Sequence, residues 1–347
     1  MSRSKHAGLR RERMQSSPHA RGGRFRNLSQ VEPDLKGLAP PIAAEFLLKG
    51  AQRAPQAALP AHDPRGAWQR APESGLRVTW LGHSTLLLEI DGLRILTDPV
   101  FGERASPLSF MGPKRFHAVP VQIAELPPID VLLLSHDHYD HLCRSSIQQL
   151  AQRPLQVVTA LGVASHLEAY GMPPERIHEL DWNESVELPH VRFTATPAQH
   201  FSGRGMGDRN STLWASWVIE TEQHKLFFSG DTGLFPELAD IGRRHGPFDL
   251  TLLEIGAYHP AWGSIHLGPE NALLAHDMLQ GRVLLPVHWG TFDLALHTWE
   301  APAEELFRMA AERSTHIITP ILGQPLEPQH SHEPTPWWRD VPRKRRG

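Results

Sequence analysis

The stretch Val131-Leu132-Leu133-Leu134-Ser135-His136-Asp137-His138-Tyr139-Asp140-His141 constrains this chain more than any other. A short, continuous apolar run reads as a strand buried on both faces, and this one ends directly on an HxHxDH pattern. In an irregular loop at a strand end, residues two apart can turn the same way. His136 and His138 can therefore converge on one ion, at the roughly 2.0–2.1 Å of a metal–imidazole bond, while Asp140 and His141 face a second. One loop starts two sites, and it cannot finish them. Imidazole is the commonest metal ligand, and the chain holds 22 histidines in 347 residues, so further ligands are sought among them.

From Arg77 onward, short β-branched and apolar runs alternate with turn signals. Strands are expected at 78–80, 85–90, 93–97 after the Asp91-Gly92 turn, 131–134, 157–160, 191–196, 213–220, 225–229, 250–255, 283–287 and 316–319. Helix-length stretches lie at 144–152, 163–170, 236–244, 269–280 and 301–313, with Pro269 and Pro302 suited to a first turn. Early hairpin followed by alternating strand and helix fits an α/β fold of two packed sheets with helices on the outer faces. His200, Asp231 and His288 each follow an apolar strand and precede a loop, which makes them the candidates to complete the two sites. A carboxylate such as Asp231 can bridge two ions about 3.5–4 Å apart.

Outside this core the reading is plainer. Residues 1–70 are taken as a basic, largely disordered tail and wrapping segment, with a short helix around 41–53. Residues 71–325 form the catalytic domain, and residues 326–347 a basic C-terminal tail closing on Arg343, Lys344, Arg345 and Arg346. A net charge of −3 gives no field to attract nucleic acid. No apolar run reaches the roughly 18 residues of a membrane span, and Cys143 is the sole cysteine, so a cytoplasmic protein without disulfides is expected. Beside the motif, Cys143 reads as a packed small side chain.

The ordered set Asp98, the 136–141 run, His200, Asp231 and His288 resembles the signature of the metallo-β-lactamase superfamily. Within it, the chain is similar to the N-acyl-phosphatidylethanolamine-hydrolysing phospholipase D family. The motifs carrying that likeness are Val78-Thr79-Trp80-Leu81-Gly82-His83, Met111-Gly112-Pro113-Lys114-Arg115-Phe116, Ser229-Gly230-Asp231-Thr232-Gly233, Ile255-Gly256-Ala257-Tyr258 and His288-Trp289-Gly290-Thr291-Phe292. The resemblance implies a four-layer αββα sandwich and two zinc ions, with manganese or iron as alternatives. It implies that His136, His138 and His200 hold one ion, that Asp140, His141 and His288 hold the other, and that Asp231 holds both. Asp98 would orient a ligand histidine. His266 matches a histidine near the substrate phosphate, although the loop before it is shorter than the family's. Asp140 and His266 are the residues assigned to catalysis. His83 fits either a turn or the site, and His259 and His297 fit the rim.

The activity so implied is phosphodiester hydrolysis of N-acyl-phosphatidylethanolamine or a related glycerophosphodiester. Basic tails and Trp337-Trp338 would allow peripheral contact with the inner membrane face, and a homodimer is left open. The alternative is a lactonase or esterase for a soluble, sugar-phosphate-like substrate carrying the same metal pattern. A regulatory, non-enzymatic metal protein is disfavoured by the completeness of the ligand set.

Overall fold

A computed structural model describes residues 3–29, 53–108, 110–259, 262–331 and 333–342. The helix expected around 41–53 falls almost wholly outside them.

The chain opens with a helix, Arg3–Ser16, and a two-rung hairpin, β1 (Ala20–Arg21) with β2 (Arg24–Phe25). The first large sheet then forms from β3 (Leu76–Gly82), β4 (Thr85–Ile90), β5 (Leu93–Thr97), β6 (Val131–Leu134), β7 (Gln156–Ala160) and β8 (Ile177–Leu180). Late in the chain β15 (Pro325–Leu326) adds to its edge beside β3. The order is β15-β3-β4-β5-β6-β7-β8. β3, β4 and β5 run as an antiparallel meander, and β5 to β8 are parallel. The second sheet holds β9 (Ser185–Leu188), β10 (Val191–Thr196), β11 (Ser216–Glu220), β12 (Lys225–Phe228), β13 (Phe248–Glu254) and β14 (Gly281–Val287). Its order is β14-β13-β12-β11-β10-β9, antiparallel from β9 to β12 and parallel from β12 to β14.

Sequence texture follows position. The parallel strand β6, with both faces covered, is apolar throughout and buried at every residue, whereas the edge strand β9 is only partly buried. One continuous core joins the sheets, from Trp80, Leu86 and Leu132 to Trp217, Phe227 and Phe248. Helices Arg144–Leu150, Ala164–Ala169, Glu237–His245, Gly268–Met278 and Ala301–Arg313 follow β6, β7, β12, β13 and β14. The fold is the α/β sandwich of the metallo-β-lactamase type. Two expected strands shrink: 213–220 begins only at Ser216, and 316–319 is reduced to a single bridge between Ile317 and Leu284.

Both ends depart from the tail reading. Arg10 Nε donates to Glu179 at 2.6 Å and its Nη2 pairs with Glu168, while Arg13 reaches Glu184 and donates to the Glu179 carbonyl at 2.8 Å. Linear charge counting saw basic excess because these acids lie about 160 residues away in the chain. At the other end, Trp337 and Trp338 are buried. Trp80 stacks on Trp289 at 5.3 Å, Trp337 lies 5.5 Å from Trp289, and Trp338 Nε1 donates to Glu304 at 2.7 Å. These tryptophans close the core and offer nothing to a bilayer. The basic cluster 343–346 lies outside the described residues.

Candidate metal centre

All the predicted ligands converge where the parallel strands of both sheets end, the usual location of sites in open α/β sheets. His136, His138, Asp140 and His141 leave β6, His200 follows β10, Asp231 follows β12 and His288 follows β14. Local backbone makes this convergence possible. Gly230 sits at φ +54, and a Cβ there would lie 2.5 Å from the Ser135 side chain, so only glycine lets the Asp231 turn press against the His136 turn. Asp98, His83 and His288 take positive φ of 29°, 54° and 63°. Non-glycine residues held there carry strain of the kind that collects at working sites.

Three overlapping groups of side chains form, one of them Asp231, Glu254, His266 and His288. His136, His138, His200 and Asp231 bring one donor atom each within 4.8 Å of one another, and His83, Asp140, His141 and His288 do the same. Asp231 lies between them. Its Oδ2 is 3.6 Å from His200 Nε2 and 3.2 Å from His288 Nε2, and its Oδ1 is 3.1 Å from His141 Nε2.

Hydrogen bonding assigns the inward-facing nitrogens. The Ser135 hydroxyl donates to Asp98 Oδ2 at 2.6 Å and so accepts from His136 Nδ1 at 2.9 Å. His141 Nδ1 donates to the same Asp98 oxygen at 2.6 Å, and His200 Nδ1 donates to the Ile265 carbonyl at 3.0 Å. A neutral imidazole carries one N–H, so Nε2 of His136 and His200 presents a lone pair inward. His136 Nε2 lies 2.8 Å from His138 Nδ1, and His200 Nε2 lies 3.3 Å from the same atom. A single N–H on His138 Nδ1 can serve only one of those two lone pairs, whereas a cation among the three nitrogens would serve all. His141 Nε2 and Asp231 Oδ1 are also buried without a hydrogen-bond partner, a state costly in an interior. The donor set, imidazole with carboxylate, therefore fits a divalent metal.

The electrostatics agree. Burial holds His136 and His200 well below the ordinary histidine range, which keeps them neutral. Asp231 and Asp140 stay well below the carboxylate range: burial opposes ionisation, but His141 and other neighbouring imidazoles outweigh it. Burial also acts against His141 and His288, yet the facing carboxylates, Asp231 first, raise both, His288 to about 10. Carboxylates that favour a proton at those nitrogens equally favour a cation, and metal binding there must displace protons.

Asp98 accepts Ser135 N–H at 2.8 Å in addition to the two bonds above, so one carboxylate orients His141 and, through Ser135, His136. His83 is both turn and neighbour. Its carbonyl accepts from Trp80 Nε1 and His288 N, and its Nε2 lies 3.0 Å from Asp140 Oδ2. Burial, then His288, pushes its pKa down to about 3. His266 stands 5.1 Å from His200 and 5.5 Å from His288, ring to ring, at the mouth. His297 accepts Ala257 N–H and stacks on Tyr258, while His259 lies against Trp262; neither joins a ligand group. Cys143 is buried, with Sγ 3.3 Å from Ser145 Oγ.

Three residues escaped sequence reasoning. Asn27 brackets His200, donating to its carbonyl at 2.7 Å and accepting its N–H at 3.0 Å. Asp137, inside the motif, accepts from Gly203 N and Thr212 Oγ1 and so ties the His200 loop to the ligand loop. Glu254 ends β13 and contacts His266. Asn27 left no signal, but an acid ending the apolar run 250–255 did.

Comparison with known proteins turns on the same segments. A sequence model described as the beta-lactamase superfamily domain matches residues 93–289. The chain belongs to the metallo-β-lactamase superfamily. An uncharacterized protein of Mycobacterium tuberculosis is 44% identical over 94% of this chain and 88% of its own. The N-acyl-phosphatidylethanolamine-hydrolyzing phospholipase D 1 of Caenorhabditis elegans is 38% identical over 73% of this chain and 76% of its own. Among solved structures, the isothiocyanate hydrolase from Delia radicum gut bacteria superposes with a TM-score of 0.59 at 21% identity, covering 72% of this chain and 98% of that one. That likeness concerns the fold. The chain is thus a metal-dependent hydrolase of this superfamily, related to the phospholipase D enzyme named above.

Proposed function

We propose that the chain is a dinuclear zinc phosphodiesterase that cleaves N-acyl-phosphatidylethanolamine or a related glycerophosphodiester. The observation that carries this reading is Asp231, a single carboxylate whose Oδ2 lies near His200 of one His-rich group and His288 of the other, with Oδ1 facing His141. His136, His138 and His200 would hold one ion, Asp140, His141 and His288 the other, and Asp231 both. Bound there, a metal pair supplies water of lowered pKa and neutralises charge on a phosphoryl group. The chain's own part is to fix donors rigidly through Asp98 and Asn27, to exclude bulk water by burying the ligands, and to present His266 toward the phosphate.

A lipid substrate is supported by exposed apolar side chains on two loops. Leu108, Phe110 and Met111 on the loop after β5 and Met206 on the loop after His200 are exposed, Phe110 by 76% and Met206 fully. Exposed apolar side chains point to a surface that covers them, here the acyl region of a membrane met from the cytoplasmic side. Among the described residues no helix is long and apolar enough to cross a membrane, so contact would be peripheral.

The test is metal content together with hydrolysis of N-acyl-phosphatidylethanolamine micelles. Two zinc ions per chain and release of phosphatidic acid, both lost in Asp231→Ala, are expected. Two ions with turnover only of soluble esters or lactones would replace the lipid reading.

A further inference from the structure

Glu254 is fully buried, and a carboxylate in that position must be satisfied on every side. Its Oε1 accepts the Thr232 N–H at 2.7 Å and the Leu267 N–H at 3.4 Å. Its Oε2 accepts Nδ1–H of His266 at 2.7 Å, with His288 Nδ1 3.8 Å from the same oxygen. The backbone N–H of Glu254 is in turn fixed by the Ser229 hydroxyl at 3.1 Å. No Lys or Arg pairs with it among the described residues; its ionic neighbours are imidazoles.

These contacts lock the two loops that flank the site mouth. Thr232 follows Asp231, and Leu267 follows His266, so one carboxylate braces the turn carrying the shared aspartate and the residue bearing the mouth histidine. An ionised carboxylate only accepts, which places a proton on His266 Nδ1 and turns Nε2, on the opposite side of the ring, away from Glu254. The ring stands between His200 and His288, the last ligands of the two groups, and its side chain keeps 12% exposure. The Asp231 carboxylate, Glu254, His266 and His288 together keep one donor atom each within 4.8 Å, so His266 stands directly beside the carboxylate the two groups share.

We infer that Glu254 is a positioning residue: it sets the tautomer and ring orientation of His266 so that Nε2 addresses the phosphodiester oxygens. This rests on the phosphodiester reading of the site. It assigns work to a residue outside the two His-rich groups proposed to hold the ions.

The experiment uses the full zinc-loaded chain, with bis(p-nitrophenyl) phosphate as the probe. Glu254→Gln keeps the shape and the Thr232 bond but cannot accept from His266 Nδ1–H unless its amide turns over and abandons Thr232. The turnover number should fall about 10–100-fold, the usual scale for losing a group that orients an active-site histidine, with zinc content retained and KM little changed. His266→Ala should lose at least as much, and Glu254→Gln added to it should cost nothing further, since the carboxylate acts through that ring. Independently of turnover and of any variant, 15N NMR of histidine-labelled wild type should show His266 carrying its proton on Nδ1. Lack of hydrolysis by the wild type would remove the phosphodiester reading and the role built on it. Hydrolysis accompanied by an Nε2–H tautomer at His266, by a wild-type rate in Glu254→Gln, or by additive losses in the double variant would overturn the inference itself.

Discussion

The two sheets contribute to the metal centre in opposite ways. The seven-stranded sheet delivers four donors, His136, His138, Asp140 and His141, from one loop after β6. The six-stranded sheet delivers three, His200, Asp231 and His288, from three strand ends spread over 89 residues of chain. A contiguous loop preassembles half of each site cheaply, because few residues must be ordered to bring its donors together. The dispersed half exists only when β10, β12 and β14 are in register, so it couples metal binding to the completeness of the second sheet. It also supplies the one carboxylate both groups share.

The largest break in this comparison is Asp231→Ala. It strips a donor from both groups at once and should abolish stable binding of both ions, with activity falling on the order of 10³-fold or more, beyond what loss of one transition-state contact causes. Metal analysis against wild type checks it; retention of two ions would mean that Asp231 is not shared. One step smaller are His136→Ala and His288→Ala, one from each sheet. Each should leave about one ion per chain, and loss of both ions in either would show that the groups do not fill independently.

Asp98→Asn probes the first sheet's support. The amide offers one acceptor where Ser135 and His141 need two oxygens, so metal affinity should drop roughly 10–100-fold, read by chelator competition. Asn27→Ala probes the second sheet's support. It removes both hydrogen bonds on the His200 backbone, at about 1 kcal/mol each, and should lower activity several-fold and the melting temperature by a few degrees.

The effect with least bearing on activity lies away from the ligands. His276 is buried, with Nδ1 2.8 Å from Thr251 Oγ1 on β13, and burial pushes its pKa down to about 4. Its folded pKa lies below the unfolded value near 6.5, so the unfolded chain binds more protons between those values. The stability that His276 contributes is therefore present above about pH 6.5 and declines as pH falls toward 4, by at most about 3 kcal/mol. Thermal melts of wild type and His276→Gln should converge on acidification; a gap constant with pH would count against the shift.

Much of this was legible before any coordinates. The HxHxDH loop after β6 and the three later strand ends could be read because strand-to-loop junctions leave a local mark: an apolar run, then a donor. Helix 301–313 was readable to the residue, with Pro302 in its first turn. Strand β8 was not, because Ile177-His178-Glu179-Leu180 mixes charge into an edge position. The tails were misread for a related reason. Arg10 and Arg13 look solvated until Glu168, Glu179 and Glu184 are brought beside them, and Trp337 looks sticky until Trp289 and Trp80 cover it.

By itself, then, the sequence determined the donor chemistry, the strands that end in it and the superfamily to which the chain belongs, because those depend on residue type and on spacing over a few positions. Only the tertiary structure decided that Asp231 faces both groups, that Asn27 clamps His200, that Glu254 holds His266 and that the described segments around Arg10 and Trp337 pack onto the rest of the fold. Each of these is a contact between residues far apart in the chain. Such contacts are set by how whole sheets pack, and no local pattern carries that information.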